Sequence, residues 1–181
     1  MEKAQDNGRQ EQQIEHFELE KIPGRQGADA KFSHNGRDIV IELKTRQFGH
    51  GCTTARDIDM SWVENKEKSE MIWIISSYSD PRNISSEHYV LFPEDMKPKF
   101  EDLKRQLNEG SPRRCGIDDW NAVKRLIPPG SPGLEKVNRS MMTKGVALNN
   151  PKIPDHYISK HGHRVESLKD IRKIIDKQKN I

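Results

Sequence analysis

The sequence predicts an α+β domain, a small mixed sheet flanked by helices, and three observations carry that class. Asn35-Gly36 stands between two runs of alternating apolar and polar residues, a strong short-range hairpin signal. EMIWIISSY (70–78) is a short apolar run of strand length, bounded by turn residues. Apolar residues recur at helical spacing over 94–108 and again over 167–179. At 181 residues, the chain fits one domain of the usual ~100–200 residues.

The elements follow in order. Residues 10–20 predict a short polar helix with Ile14 and Phe17 on one face, stopped by Pro23-Gly24. Residues 29–44 predict the hairpin. Residues 57–68 predict a helix with Ile58, Met60 and Val63 inward, and 70–78 a buried strand closed by Asp80-Pro81. EHYVLF (87–92) predicts another strand. The helix over 94–108 places Met96, Phe100, Leu103 and Leu107 together, with Pro98 required in its first turn or at a kink. Residues 118–126 could form a helix, and IPPGSPG (127–133) is a loop. Asn149-Asn150-Pro151 is a turn, and the terminal helix groups Leu168, Ile171 and Ile175. No repeat or low-complexity segment interrupts this outline.

Composition narrows the class. Charged residues make up 33% of the chain and hydrophobic residues 32%, or roughly 39% with its 12 Gly, against typical values of about 25% and, counting Gly, about 45–50%. The surface is therefore strongly ionic. No apolar run approaches the ~18 residues of a membrane span, and MEKAQDNGRQ has no signal-peptide core. Cys52 and Cys115 stand apart, which fits a reducing, cytoplasmic setting and excludes a structural zinc knuckle. The net charge of +3 is unevenly spread. Residues 1–20 hold six acids and two bases, whereas 111–145 and 160–181 each hold seven bases and three acids. Two basic segments on a nearly neutral chain suggest a polyanion footprint.

The hairpin carries the chemistry. A two-residue turn at Asn35-Gly36 pairs 34 with 37, 32 with 39 and 30 with 41, and so sets Asp29 opposite Glu42. Lys44 lies two residues on and shares that face. Ala28, Ala30, Phe32, Ile39, Ile41 and Leu43 form the opposite, apolar face, while Lys31, Ser33 and Asp38 continue the polar one. Opposed carboxylates repel unless a proton or cation lies between them. Hard oxygen ligands suit Mg2+, and a neighbouring lysine can hold a water or stabilise charge on a phosphate oxygen. His50-Gly51-Cys52 lacks the further ligands of a metal site and reads as a loop. Trp62, Trp73 and Trp120 read as core anchors.

IPGRQGADAKF followed by DIVIELKT resembles the PD-(D/E)XK nuclease signature, an Asp and then Glu-x-Lys on adjacent strands. Within that superfamily the chain is most similar to the PvuII-like type II restriction endonucleases. That similarity continues through Met60, Trp73, Pro93-x-Asp95, and NNPKIP (149–154) with Tyr157 and His161-Gly162. It spans about residues 22–108 and 149–163.

The resemblance implies a PD-(D/E)XK restriction-endonuclease-like fold. Asp29 and Glu42 would bind Mg2+ with the Leu43 carbonyl, and Lys44 would assist the attacking water. It also implies a DNA-reading set. Asn149 and Asn150 match an asparagine pair that reads base edges, in keeping with the bidentate fit of Asn to adenine. Lys152 and His161 would lie near the DNA. Asp57 and Asp59 replace histidines of the family and could accept a bond from cytosine N4. Duplex DNA, a homodimeric partner and a cognate DNA methyltransferase are the implied associates.

The chain departs from the family in four places. Its hairpin is three residues longer, Gln26 stands where the family has a third acid, the N-terminal arm is shorter, and a basic insertion occupies about 109–148. Two other functions share parts of this pattern: a structure-selective nuclease such as a Holliday-junction resolvase, and a catalytically inert DNA-binding module.

Overall fold

The computed structural model describes residues 2–24, 27–55, 57–80, 82–84, 87–108 and 148–178. Gln26, Cys115, Trp120, the 118–126 helix, the 127–133 loop and nearly all of the basic insertion lie outside the described residues. The structure is a mixed α+β arrangement around a six-stranded sheet ordered β1-β2-β3-β6-β7-β10. Its strands are β1 (Glu20–Lys21), β2 (Ala30–His34), β3 (Arg37–Gln47), β6 (Ile72–Tyr78), β7 (His88–Leu91) and β10 (His163–Val165). All neighbours run antiparallel except β3 and β6, which are parallel and joined through helix α2 (Met60–Lys68). β6 is buried along almost its whole length, as its unbroken apolar start requires of a strand covered on both faces.

The hairpin has the predicted register, with Ala30 opposite Ile41, Phe32 opposite Ile39 and His34 opposite Arg37. Asn35 and Gly36 both take positive φ, 50° and 72°, the type I′ geometry whose twist suits a two-residue hairpin. Ala30, Phe32, Ile41 and Leu43 are buried in one core cluster with Phe17, Ile74, Val90, Ile171 and Ile175. This core lies between the sheet and helices α1 (Glu2–His16) and α5 (Leu168–Gln178). A second core on the other face groups Trp73, Ile75 and Leu91 with Val63 of α2, Met96, Phe100, Leu103 and Leu107 of α3 (Pro93–Asn108), and Ile158 of α4 (Asp155–His161).

Three predicted helices begin or end elsewhere. The first runs over 2–16 rather than 10–20 and stops at Glu18, whose φ of 51° is left-handed. Its inward side chains include Arg9 and Gln13, both buried, so an apolar-periodicity reading undercounts its buried face. The second begins at Met60 because Asp59 is its N-cap, its Oδ1 accepting the Trp62 N–H at 2.8 Å. Asp57 and Ile58 instead form β5, paired with β8 (Leu148–Asn149). The third begins at Pro93, which places Pro98 one turn further in, where it removes the bond to the Glu94 carbonyl. Asp95 Oδ2 accepts the Phe92 N–H at 2.8 Å, closing the start of this helix.

Two polar details of the core make predictions. Gly162 fits because a Cβ there would lie 2.5 Å from the Ile158 carbonyl oxygen and 3.2 Å from Tyr89 Cβ. Gly162→Ala is expected to cost about 1–3 kcal/mol, the scale of overpacking, seen as a lower urea midpoint. An unchanged midpoint would mean that the α4–β10 junction relaxes freely.

His88 is buried, and its Nδ1 lies 2.8 Å from Ser76 Oγ, which also accepts from Gln13 Nε2 at 2.8 Å. Burial first, and then the nearby His16, pull the His88 pKa down to about 4, against a smaller opposing pull from Glu87. The folded state thus holds the neutral ring, while the unfolded chain protonates near pH 6.5. Stability from this group is complete above about 6.5 and is lost as pH falls from there toward 4. Roughly 3 kcal/mol is at stake over that window. The stability of His88→Asn should fall less than wild type between pH 7 and 4.5, compared by urea unfolding. Parallel losses would rule His88 out as the acid-sensitive group.

Candidate active site

The candidate site forms at the carboxyl-terminal part of β3. Glu42 and Lys44 point to the face shared with Trp73 and Ile75, their partners on β6. The sequence treats this face as polar throughout, and the structure divides it. Near the turn it meets solvent, where Asp38 accepts from Lys31 at 2.8 Å and from Ser33 at 2.7 Å. Further along, α2 and α3 cover it, and Glu42 is only 5% exposed.

Asp29 reaches the site by a slip in the ladder. Strand pairing ends at Ala30 and Ile41, and the Asp29 N–H donates to the Ile41 carbonyl at 2.9 Å instead of continuing opposite Glu42. On its other side the Asp29 carbonyl accepts from the Ile22 N–H at 3.0 Å. Its carboxylate takes over the next rung, with Oδ2 accepting the Leu43 N–H at 2.8 Å. The side chain of Gln10, on α1, also bonds Asp29. α1 braces the same strand twice more, as Gln13 Nε2 donates to the Lys44 carbonyl at 3.0 Å and Arg9 Nε to Thr45 Oγ1 at 3.2 Å.

The electrostatics show how close these groups are. Burial raises the Asp29 pKa, and the charge of Glu42 raises it further, while the Leu43 N–H, Lys44 and Gln10 oppose both. Burial alone would lower the Lys44 ammonium, but the charge and hydrogen bond of Glu42, with the charge of Asp29, outweigh it and raise the pKa overall. Lys44 Nζ lies 2.8 Å from Glu42 Oε1. The structure thus gathers Asp29, Glu42 and Lys44 in one patch.

Sequence reading did not anticipate a fourth member. Lys66, in the last turn of α2, donates to Glu42 Oε2 at 2.6 Å and to the Gly27 carbonyl at 3.2 Å. It sits 24 residues from Glu42, in a run (ENKEK) that reads as a solvated helix face. Only the fold brings it inward.

The residues fit a divalent ion. Two carboxylates press on one another, so the pair favours a cation, and the donors are hard oxygens. Among the described residues no three His, Cys, Asp or Glu gather closely enough to hold an ion by themselves. Mg2+ commonly takes only one or two carboxylates, with water and phosphate completing its shell. The Leu43 carbonyl faces the same neighbouring strand as its amide, which meets Asp29.

Several of the predicted DNA-reading residues lie on two paired segments. β5 pairs with β8, setting Asp57 opposite Asn149, and β4 (Cys52–Thr53) pairs with β9 (Lys152–Ile153). Thr54 ties the two segments, its N–H and hydroxyl donating to the Pro151 carbonyl at 3.0 and 2.9 Å. Asn150 is exposed in the connecting bend with φ of 46°, and Lys152 is exposed beside Thr53. One Asp59 oxygen is engaged in capping α2. His161 stacks on Tyr157 with ring centroids 4.3 Å apart. Its neighbour His163 is structural, 3.1 Å from Asp95 Oδ2. Trp73 is a core anchor, as the sequence predicts, whereas Cys52, read there as part of a loop, opens β4 and is buried because that strand pairs with β9. No helix among the described residues is long and apolar enough to cross a membrane. In comparison with known proteins, the chain matches no protein-family model and no curated protein.

Proposed function

We propose that this chain is a Mg2+-dependent PD-(D/E)XK nuclease, a type II restriction endonuclease that cuts both strands of a short palindromic DNA site as a homodimer. The observation that carries the reading is the convergence of Asp29, just before β2, with Glu42 and Lys44 of β3 on one largely covered patch. Asp29 and Glu42, with the Leu43 carbonyl, would hold the ion. When bound, it supplies an activated water and offsets charge on the phosphate oxygens. The Leu43 N–H and the Gln10 side chain fix the orientation of the Asp29 carboxylate. Lys44 donates to the attacking water or to a phosphate oxygen, held in place by a strand that α1 braces from behind.

Asn149 and Asn150 serve as base readers in this scheme, and Asp57, Asp59, Lys152 and His161 are its further DNA contacts. The pairing of β5 with β8 supports it, because two segments some ninety residues apart meet in one ribbon. A two-fold DNA site calls for a two-fold protein, and a chain of this size carries one active centre. A cognate methyltransferase would protect the host site.

Incubation with plasmid DNA and Mg2+ tests the proposal. Discrete, reproducible fragments are the expected result. Cleavage confined to branched DNA would favour a junction resolvase, and a gel shift without cleavage would leave a binding module.

A further inference from the structure

Within this site, Glu42 is satisfied twice over. Lys44 holds Oε1 at 2.8 Å and Lys66 holds Oε2 at 2.6 Å, so an ammonium group sits against each carboxylate oxygen. A divalent ion that binds Glu42 comes within a few ångström of both ammonium groups, and the repulsion favours the departure of one of them. We infer that Lys66 is a built-in counter-cation, which occupies Glu42 Oε2 until a divalent ion displaces it. The inference rests on the nuclease reading above and adds a residue to it.

Placement decides which lysine yields. Lys44 is on the same strand as Glu42, two residues away, and its backbone is fixed by pairing with Ile75 and by Gln13. Lys66 arrives from a different element, on a flexible four-carbon arm. It also has other partners when displaced. The Gly27 carbonyl lies 3.2 Å from Nζ, and the Trp62 ring lies 5.8 Å away. The charge answers a real need, since Glu42 and Asp29 are both largely buried and of like sign.

A merely structural Lys66 would tie α2 to β3, and its loss would loosen the site and weaken ion binding. A competing Lys66 predicts the opposite sign. The test is Mg2+ titration of the DNA-free protein by calorimetry. Lys66→Met keeps the stem and removes the charge, and it should bind Mg2+ at least about tenfold more tightly, as expected for losing one cation a few ångström from the ion. Lys66→Arg should stay near wild type. Where the Met variant does not melt cooperatively, Lys66→Gln takes its place. Equal or weaker binding by the uncharged variant overturns the inference while leaving the nuclease reading in place. If wild type and variants alike bind no Mg2+, both fall together.

Discussion

Lys44→Ala is expected to bind duplex DNA with nearly wild-type affinity and to cleave it at least about 10²–10³-fold more slowly. That is the scale of removing one preorganised donor from developing charge. Binding should persist because it is spread over many phosphate contacts, whereas the ammonium of Lys44 acts at one bond. The fold should persist too. Glu42 loses the partner on Oε1 but keeps Lys66 on Oε2, so its buried charge remains paired. Parallel gel shifts, plasmid cleavage time courses and thermal melts separate the three effects. Undiminished cleavage by Lys44→Ala would falsify the assignment of the site. Weak cleavage accompanied by an equal loss of DNA binding would make Lys44 a binding residue.

The legibility of this site in the sequence has a physical pattern. Asp29, Glu42 and Lys44 could be placed because strand alternation and a type I′ turn fix register over short range. The same arithmetic fails one residue past Ala30, where Asp29 leaves the ladder and its carboxylate takes the Leu43 N–H. Nothing in the pattern of apolar residues marks such a slip. Lys66 and Gln10 were invisible for another reason. Their roles depend on where a helix packs, and polar residues leave no periodic trace when they turn inward. The same blindness shortened α1, whose buried face includes Arg9 and Gln13. The 52–59 and 149–154 segments could be singled out separately, but their pairing is a long-range contact that only the fold supplies.

Arg46→Ala is expected to lower folding stability by about 3–5 kcal/mol, the scale of breaking a buried ion pair. Arg46 is 3% exposed at the end of β3. Its Nε donates to Ser77 Oγ at 3.2 Å, its NH1 to the His50 carbonyl at 3.1 Å and to Asp155, and its NH2 to Glu87 Oε1 at 3.1 Å. Its guanidinium also lies 5.5 Å from the Tyr89 ring. One cation therefore joins β3, β6, β7, the His50 loop and α4. Removing it takes this cation from Glu87, which keeps the Ser77 hydroxyl as a donor at 2.6 Å, and from the partly exposed Asp155, and leaves the His50 carbonyl without this donor. Against a typical stability of about 5–15 kcal/mol, that loss is large enough to shift the urea midpoint well outside error. Arg46→Met fills the space without the charge and should be nearly as costly while both acids remain. Adding Glu87→Gln and Asp155→Asn should recover part of the loss, because the two side chains then no longer carry charge that Arg46 balanced. A triple variant no more stable than Arg46→Met would place the cost in packing against Tyr89. An Arg46→Ala midpoint equal to wild type would show that water satisfies both acids and that this network contributes nothing to holding the site strand.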